Sequence, residues 1–158
     1  MAPGRAFAGT QTRRARHPER VAQFSIFTPN RLGKLNELIK LFSTHGVNVL
    51  GLMVVDTTDS AVIRLVVDGP DQARELLSSH EFPFTESKLV VVEANATDLP
   101  QLMSVMLEAE LNVNYLYSFI PQPRGKSLLA FSIEDNDVAE QALQRHQFTT
   151  LTQADLSR

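Results

Sequence analysis

An internal repeat limits the possible folds of this chain more than any other feature of its sequence. Shifting the sequence by 64 places aligns Leu35 with Leu99 and Asn48 with Asn112. A shift of 66 places aligns further pairs: Asp71 with Asp137, Ala73 with Ala139, His80 with His146 and Phe82 with Phe148. Each repeat is about 65 residues long, which is roughly the smallest length that folds around a core of its own. The sequence therefore predicts two small units with the same fold.

Hydrophobic patterns in the first unit predict the element order βαββαβ. Its predicted strands cover residues 21–27, 47–55, 61–67 and 84–87. Its predicted helices carry apolar stripes, which are Leu35, Leu38, Ile39 and Phe42 in the first, and Ala73, Leu76 and Leu77 in the second. Gly69 and Pro70 suit the cap and first position of that second helix.

The second unit repeats this order. Its strand at residues 88–93 leads to a helix, a hairpin over 113–133 with its turn at 121–126, a second helix and a strand near 149–152. A βαββαβ unit is the ferredoxin-like arrangement, an antiparallel sheet with two helices on one face. The predicted class is α+β, with the two units at residues 21–87 and 88–158. Because so few residues separate the units, we expect them to share a sheet or an edge.

The first 20 residues are predicted to be a disordered basic tail. They hold five arginines, one glutamate and few apolar side chains, so they cannot form a core. A misplaced start, a nucleic-acid-binding arm and an Arg-rich organelle presequence are alternatives. Removing those charges from totals of 15 bases and 18 acids leaves ten bases and seventeen acids, a net charge of −7 from Val21 onward. An acidic folded part argues against nucleic acid and membrane surfaces as partners.

Composition and motifs exclude several chemistries. The chain has no cysteine, so disulfides, thiolate metal sites and a cysteine nucleophile are absent. It contains no phosphate-binding loop, dinucleotide-binding motif or nucleophile elbow, and no recurring metal-ligand spacing. No apolar run reaches the roughly 18 residues of a membrane span. We expect a soluble cytoplasmic protein with no catalytic residue, metal or cofactor.

Several remaining polar side chains have structural interpretations. His45, His80 and His146 each follow a predicted helix, where a cation complements the helix dipole. Asp135 is predicted to cap the last long helix. Tyr115 and Tyr117 share one strand face and are predicted to fill the sheet surface, with a pocket or an interface as the alternative.

Two segments of the first unit carry a family resemblance. Residues 27–35 read FTPNRLGKL, and residues 41–49 read LFSTHGVNV. They resemble the start of an ACT domain, a small-molecule regulatory module of amino-acid metabolism. In that family the first strand runs into a polar residue, Gly and Leu begin the helix, and an apolar-Asn-apolar triplet opens the second strand. The residues that match are Asn30, Gly33, Leu35 and Asn48.

The second unit resembles an ACT domain more weakly, through Leu99, Asn112 and Val113. Together the units, over residues 21–155, resemble stand-alone tandem ACT-domain proteins. The resemblance implies a binding site for an amino acid. The implied ligand-binding residues are Asn30, Arg31, Leu32, Gly33, Lys34, Leu35, Val47, Asn48, Asp98, Leu99 and Asn112.

The chemistry of the first loop agrees with this implication. A helix N-terminus presents unpaired N–H groups, so the turn at residues 30–34 suits a carboxylate. Gly33 would let a ligand approach the backbone, although a tight turn explains a glycine equally well. Asn48 is interpreted as a ligand contact, with a role in tying down its own loop as the alternative.

The second loop departs from the family pattern, since Thr97 stands at the position of Gly33. Asp98 and Gln101 have the spacing of a capping box, in which the Asp98 carboxylate would accept from the helix N–H groups. We therefore hypothesise that unit two fills its own anion site.

These observations predict a non-catalytic regulatory protein that binds a small amino acid. Such a module needs a partner that responds, so we expect a homodimer or docking onto a biosynthetic enzyme. The chain also resembles the regulatory small subunit of acetolactate synthase, which is the first alternative. A protein- or nucleic-acid-interaction module on a ferredoxin-like fold is the second.

Overall fold

The computed structural model describes residues 18–29 and 33–157. The predicted site residues Asn30, Arg31 and Leu32 lie outside the described residues, as do residues 1–17 of the predicted tail. The end of that tail is described. There the Glu19 carbonyl accepts from Gln153 N at 2.9 Å, and Arg20 pairs with Asp137 and Glu140.

The element order confirms two successive βαββαβ units. Unit one contains β1 (Val21–Pro29), α1 (Lys34–Thr44), β2 (Val49–Asp56), β3 (Ser60–Val67), α2 (Pro70–Ser79) and the first half of β4 (Phe84–Ala94). Unit two contains the second half of β4, a 3₁₀ turn (Ala96–Asp98), α3 (Leu99–Glu108), β5 (Val113–Ser118), a 3₁₀ turn (Pro123–Gly125), β6 (Ser127–Ile133), α4 (Asn136–Arg145), β7 (Thr150–Leu151) and α5 (Gln153–Leu156).

The helix boundaries follow from local capping chemistry. The Asp135 carboxylate accepts from Val138 N at 3.1 Å, which confirms it as the cap of α4. Gly69 and Pro70 occupy the cap and first turn of α2, as predicted. The three histidines stand directly after α1, α2 and α4.

All seven strands join one antiparallel sheet in the order β2-β3-β1-β4-β6-β5, and β7 also pairs with β4. The two strands predicted at residues 84–87 and 88–93 are a single strand, so the position between residues 87 and 88 lies inside β4. The first half of β4 pairs with β1, from Phe84 to Leu89. Its second half pairs with β6 and β7. The units therefore share one strand, and no loop separates them.

Three hydrophobic clusters form the interior. One lies between α1, α2 and the sheet of unit one, and includes Phe24, Leu38 and Leu77. A second lies in the same position in unit two, and includes Leu102 and Phe131. The third lies on the sheet face away from α1–α4, which we call the inner face. It joins the units and contains Val21, Val66, Leu89, Val91, Tyr117, Phe119, Leu128 and Ala130.

The sheet curls so that its two ends meet. Gly51 of β2 forms an isolated antiparallel bridge with Phe119, just after β5. Beside it, Ile120 N donates to Leu50 O at 2.7 Å. These contacts hold the inner faces of the two units together.

One predicted core residue is exposed. Leu35 was expected in the buried stripe of α1, but its side chain is 37% exposed, and Leu38 and Phe42 supply the burial. Leu35 lies in the first turn of α1, two residues after Gly33. Its position makes it available to a ligand.

Candidate functional site

Gly33, at the N-cap of α1, has a left-handed backbone conformation. Gly33 has φ +92°, and a Cβ atom built there would meet no atom of the described residues within 4 Å. The conformation therefore requires glycine, and the space beside it is open. Glu37 N donates to Gly33 O at 2.9 Å, and no described side chain caps this end of α1. The N–H groups of the first turn are left for solvent or a ligand.

Lys34 places a positive charge at the same turn. Its Nζ lies 3.2 Å from Glu37 Oε2, on the exposed side of α1. Lysine is the less favourable charge at a helix N-terminus, because the dipole there is already positive. An anionic ligand would interact favourably with both the ammonium group and the dipole.

Asn48 is tied to the end of β3. Its backbone N–H donates to Asp68 Oδ1 and its side-chain Nδ2 donates to Asp68 Oδ2, both at 2.8 Å. Asp68 N in turn donates to Asn48 O at 3.1 Å. The side-chain nitrogen of Asn48 is thus already bonded within unit one, which leaves its carbonyl oxygen to accept from a ligand. Val47, the neighbouring predicted site residue, is buried in the core.

The structure separates the two halves of the predicted first site. Gly33 lies before α1, at the end of the sheet where Pro29 pairs with Ser60. Asn48 follows α1, at the opposite end, beside Asp68. The 11 residues of α1 span about 16 Å between them. No single small ligand can therefore contact both residues within one unit.

Asn48 instead lines a cavity between the units. The cavity has a volume of about 550 Å³ and is lined by Asn48, Leu50 and Asp68 from unit one, and by Phe119 and Leu156 among others from unit two. Pockets of this size hold small molecules. The site residue predicted from unit one thus faces unit two.

The second loop is capped differently from the prediction. Asp98 Oδ2 accepts from Asn95 N at 2.8 Å, so the capping box runs from Asn95 to Asp98 and does not involve Gln101. The reason is the 3₁₀ turn Ala96–Asp98, which starts the helical segment three residues before Leu99. The Asp98 carboxylate therefore accepts from the backbone N–H of Asn95, three residues earlier in the chain. The hypothesis expected it to accept from the backbone N–H groups of α3.

The other second-unit residues also divide between two ends. Asn95, Asp98 and Lys126 line a cavity of about 360 Å³. Asn112 lies at the far end of α3, where its Nδ2 donates to Glu134 Oε2 at 3.4 Å. Asn112 and Glu134 are the repeat equivalents of Asn48 and Asp68, and their hydrogen bond is the longer of the two.

A buried polar group joins the units and was not predicted from the sequence. The Gln23 side chain is fully buried on the inner face, where its Nε2 donates to Tyr115 Oη at 2.7 Å and to Ser87 Oγ at 3.1 Å. Tyr117 Oη donates to Gln23 Oε1 at 2.7 Å. Burial raises the pKa of the Tyr117 hydroxyl well above its usual value. Tyr115 and Tyr117 of unit two therefore both contact Gln23 of unit one. This position corresponds to the interface role that the sequence analysis gave as the alternative to filling the sheet surface.

Within residues 18–29 and 33–157, no group of histidine and carboxylate side chains is arranged to hold a metal ion. No helix in the same ranges is long and apolar enough to span a bilayer.

Comparison with known proteins gives one family match and several similar folds. A family model described as an ACT domain pair matches residues 19–158. A crystal structure of a Bacteroides thetaiotaomicron protein has a TM-score of 0.81 at 21% identity, over 89% of this chain and 98% of that one. The regulatory subunit of aspartate kinase from Thermus thermophilus has a TM-score of 0.56 at 16% identity, over 82% and 93% of the two chains.

The corresponding subunit from Thermus flavus gives a TM-score of 0.55 at 12% identity, over 80% of this chain and 92% of that one. At these identities the structural similarities establish the fold alone. No curated protein sequence matches the chain.

Proposed function

Because the chain belongs to the ACT domain pair family, we propose that it is a non-catalytic regulatory protein that binds an amino acid and modulates amino-acid metabolism. ACT domains are regulatory modules, and two of the similar folds are regulatory subunits of aspartate kinase. The fold does not by itself fix the ligand. The proposal therefore rests on the chemistry of the turn before α1.

The observation that carries the proposal is the N-terminus of α1 at Gly33, where no side chain of the described residues caps the helix. A ligand carboxylate placed there would accept from the first N–H groups of α1 and lie close to the Lys34 ammonium group. The exposed Leu35 side chain would contact an apolar part of the same ligand. An α-amino acid carries the required carboxylate and a side chain that can make this contact.

Asn48 has a second role in this proposal. Because Gly33 and Asn48 lie at opposite ends of unit one, a ligand bound at Gly33 contacts Asn48 only if another copy brings it there. The cavity of about 550 Å³ beside Asn48 would otherwise take a ligand independently. We place the amino-acid carboxylate at Gly33. Asn48 is assigned to the cavity between unit one and unit two of the same chain, and not to the carboxylate site.

A thermal-shift screen of the full chain against the twenty amino acids tests the proposal. A ligand present at a hundred times its dissociation constant stabilises a fold by about 2.7 kcal/mol, which raises the unfolding midpoint by several degrees. We expect one or a few related amino acids to raise it. Gly33→Ala should abolish the shift, because its methyl group lies beside the carboxylate and its backbone is strained.

Gly46→Ala is the matched control for that variant. Gly46 also has a positive φ, +73°, and open space around its missing Cβ atom, but it lies at the other end of α1. Both substitutions should lower the free energy of unfolding by about 1 kcal/mol, while only Gly33→Ala loses the ligand shift. If Gly33→Ala keeps the full shift, the carboxylate binds elsewhere, and if no amino acid raises the midpoint, the amino-acid proposal is wrong.

A further inference from the structure

The cavity of about 550 Å³ that Asn48 lines has mainly apolar walls. We call it the inter-unit cavity. Phe119 and Leu128 are buried in the cluster on the inner face, and Leu50 and Leu156 pack against that cluster. The apolar residues of the lining are Leu50, Phe119, Pro121, Pro123, Leu128 and Leu156. A ligand in this cavity would bury apolar surface against both units of the chain.

Backbone groups in the walls of the inter-unit cavity are already hydrogen-bonded to each other. Ile120 N donates to Leu50 O at 2.7 Å, and Phe119 N donates to Leu128 O at 2.9 Å. The turn between β5 and β6 adds two prolines to the lining, and a proline has no N–H group to donate. Recognition of a ligand therefore depends on the polar side chains of the lining.

The charged side chains of that lining are two carboxylates, Asp68 and Asp155. Its other polar side chains are the amides of Asn48 and Gln122, and Arg124 of the same turn lines a neighbouring cavity instead. In the part of the chain that the structure describes, no base forms an ion pair with either carboxylate. The lining therefore carries a negative charge that attracts a cation.

Both carboxylates keep room for a further hydrogen-bond donor. Asp68 Oδ1 accepts from Asn48 N, and Asp68 Oδ2 accepts from Asn48 Nδ2. Asp155 Oδ2 accepts from the backbone N–H and the hydroxyl of Thr152, while its Oδ1 accepts from no described residue. Each carboxylate oxygen has two lone pairs, so a ligand can bond to either residue without breaking these contacts. A charged donor would make the stronger bond, because both partners are then ionised.

We propose that the inter-unit cavity binds a small organic cation, an ammonium or guanidinium group attached to an apolar chain or ring. The charged group would donate to Asp68, which is half-buried, and the exposed Asp155 would add to the attraction. The apolar part would lie against Phe119 and Leu156. A ligand carboxylate would meet two like charges and no base there, so this ligand is opposite in charge to the group placed at Gly33. The inference goes beyond the proposed function and does not depend on it.

Titration of the full chain with phenethylamine, followed by the amide chemical shifts, tests this inference. We expect shift changes at Gln122 and Leu156, and none at Glu37 in the first turn of α1. Phenethyl alcohol has nearly the same shape without the charge, and it should bind at least about tenfold more weakly. Asp68→Asn removes the charge from the protein instead, and it should weaken phenethylamine binding by at least about tenfold as well.

Asp59→Asn is the matched control, because it removes the same charge just before β3, whereas Asp68 follows the other end of that strand. This control should bind phenethylamine like the natural chain. Circular dichroism checks that each variant folds, and Asp155→Asn replaces Asp68→Asn if that variant does not.

Four outcomes would overturn the inference. They are no phenethylamine binding at millimolar concentration, equal binding of phenethyl alcohol, unchanged binding by the variant of the cavity carboxylate, and an equal loss in Asp59→Asn. Gly33→Ala should keep phenethylamine binding, since Gly33 does not line the inter-unit cavity. Loss of the amino-acid shift with phenethylamine binding intact would therefore reject the amino-acid proposal alone, and the reverse result would reject this inference alone.

Discussion

Gly51 and Phe119 approach so closely that no side chain fits between them. A Cβ atom built on Gly51 would lie 2.7 Å from Phe119 Cε1 and closer still to Phe119 Cδ1, well inside van der Waals contact. Phe119 is buried among residues of both units, so its ring has little room to move. We expect Gly51→Ala to lower the free energy of unfolding by about 2 kcal/mol through overpacking. Urea denaturation measures this change.

A double variant separates this clash from an effect on strand propensity. Phe119→Leu makes room beside position 51, so Gly51→Ala combined with Phe119→Leu should lose less stability than the sum of the single changes. Strict additivity of the two changes would show that the methyl group does not meet the ring.

The hydrogen bonds of Gln23 predict that Tyr117→Phe lowers the free energy of unfolding more than Tyr115→Phe does. Tyr117→Phe leaves the buried Gln23 Oε1 without its donor, and we expect a loss of about 2 kcal/mol. Tyr115→Phe should cost less, because Gln23 Nε2 still donates to Ser87 Oγ. Chemical denaturation of the two variants gives the comparison. Equal losses would mean that the tyrosines act only through their rings.

The pair between Arg74 and Glu86 predicts a pH dependence of stability. Arg74 donates to both Glu86 oxygens at 2.6 and 2.8 Å, and these bonds hold the pKa of Glu86 below its usual value. Since the folded-state pKa is the lower one, the stabilisation is present above the unfolded pKa and is lost as the pH falls through the folded value. Both groups are partly exposed, so we expect only about 0.5 kcal/mol.

Glu86→Gln tests that dependence. The variant should be less stable than the natural chain near about pH 7 and equal to it near about pH 3. Glu75→Gln, on the exposed side of α2, serves as the control. A difference between Glu86→Gln and the natural chain that persists in acid would point to packing as its cause.

The equivalent asparagines of the two units predict a further contrast. Asn48→Ala removes a 2.8 Å bond to Asp68, while Asn112→Ala removes a longer 3.4 Å bond to Glu134. We expect the first to cost about 1 kcal/mol and the second less. Urea midpoints measure both changes. If Asn48→Ala leaves stability unchanged but weakens ligand binding, its role is in the site and the tie to Asp68 is incidental.

Features set by neighbouring residues in the chain could be predicted from the sequence. The buried positions Leu38 and Phe42, the cap Asp135 and the order of elements all depend on local spacing or on the repeat. The capping box of the second loop was misplaced because two overlapping pairs fit the pattern. Asn95 with Asp98 comes first along the chain, and it is the pair that forms.

Features that depend on contact between the units could not be predicted. The alternation in β1 separates Gln23 and Ser25 from Phe24 and Ile26, but it cannot show that a second unit covers the polar side as well. Nothing in the local sequence indicates that Gly51 of β2 forms a bridge with Phe119, the residue that follows β5. The sequence predicts separate strands at residues 84–87 and 88–93, yet β4 is continuous through both because its pairing with β1 runs on to Leu89.

The continuity of β4 also limits how such proteins can recombine. Its residues 84–89 complete one half of the sheet and its later residues begin the other, so a chimera joined between residues 87 and 88 would exchange half a strand. Each half would then need a new partner to preserve both registers. The two repeats can therefore be exchanged between relatives only as a pair. Replacing one unit alone requires that the remaining unit match the new one along β4.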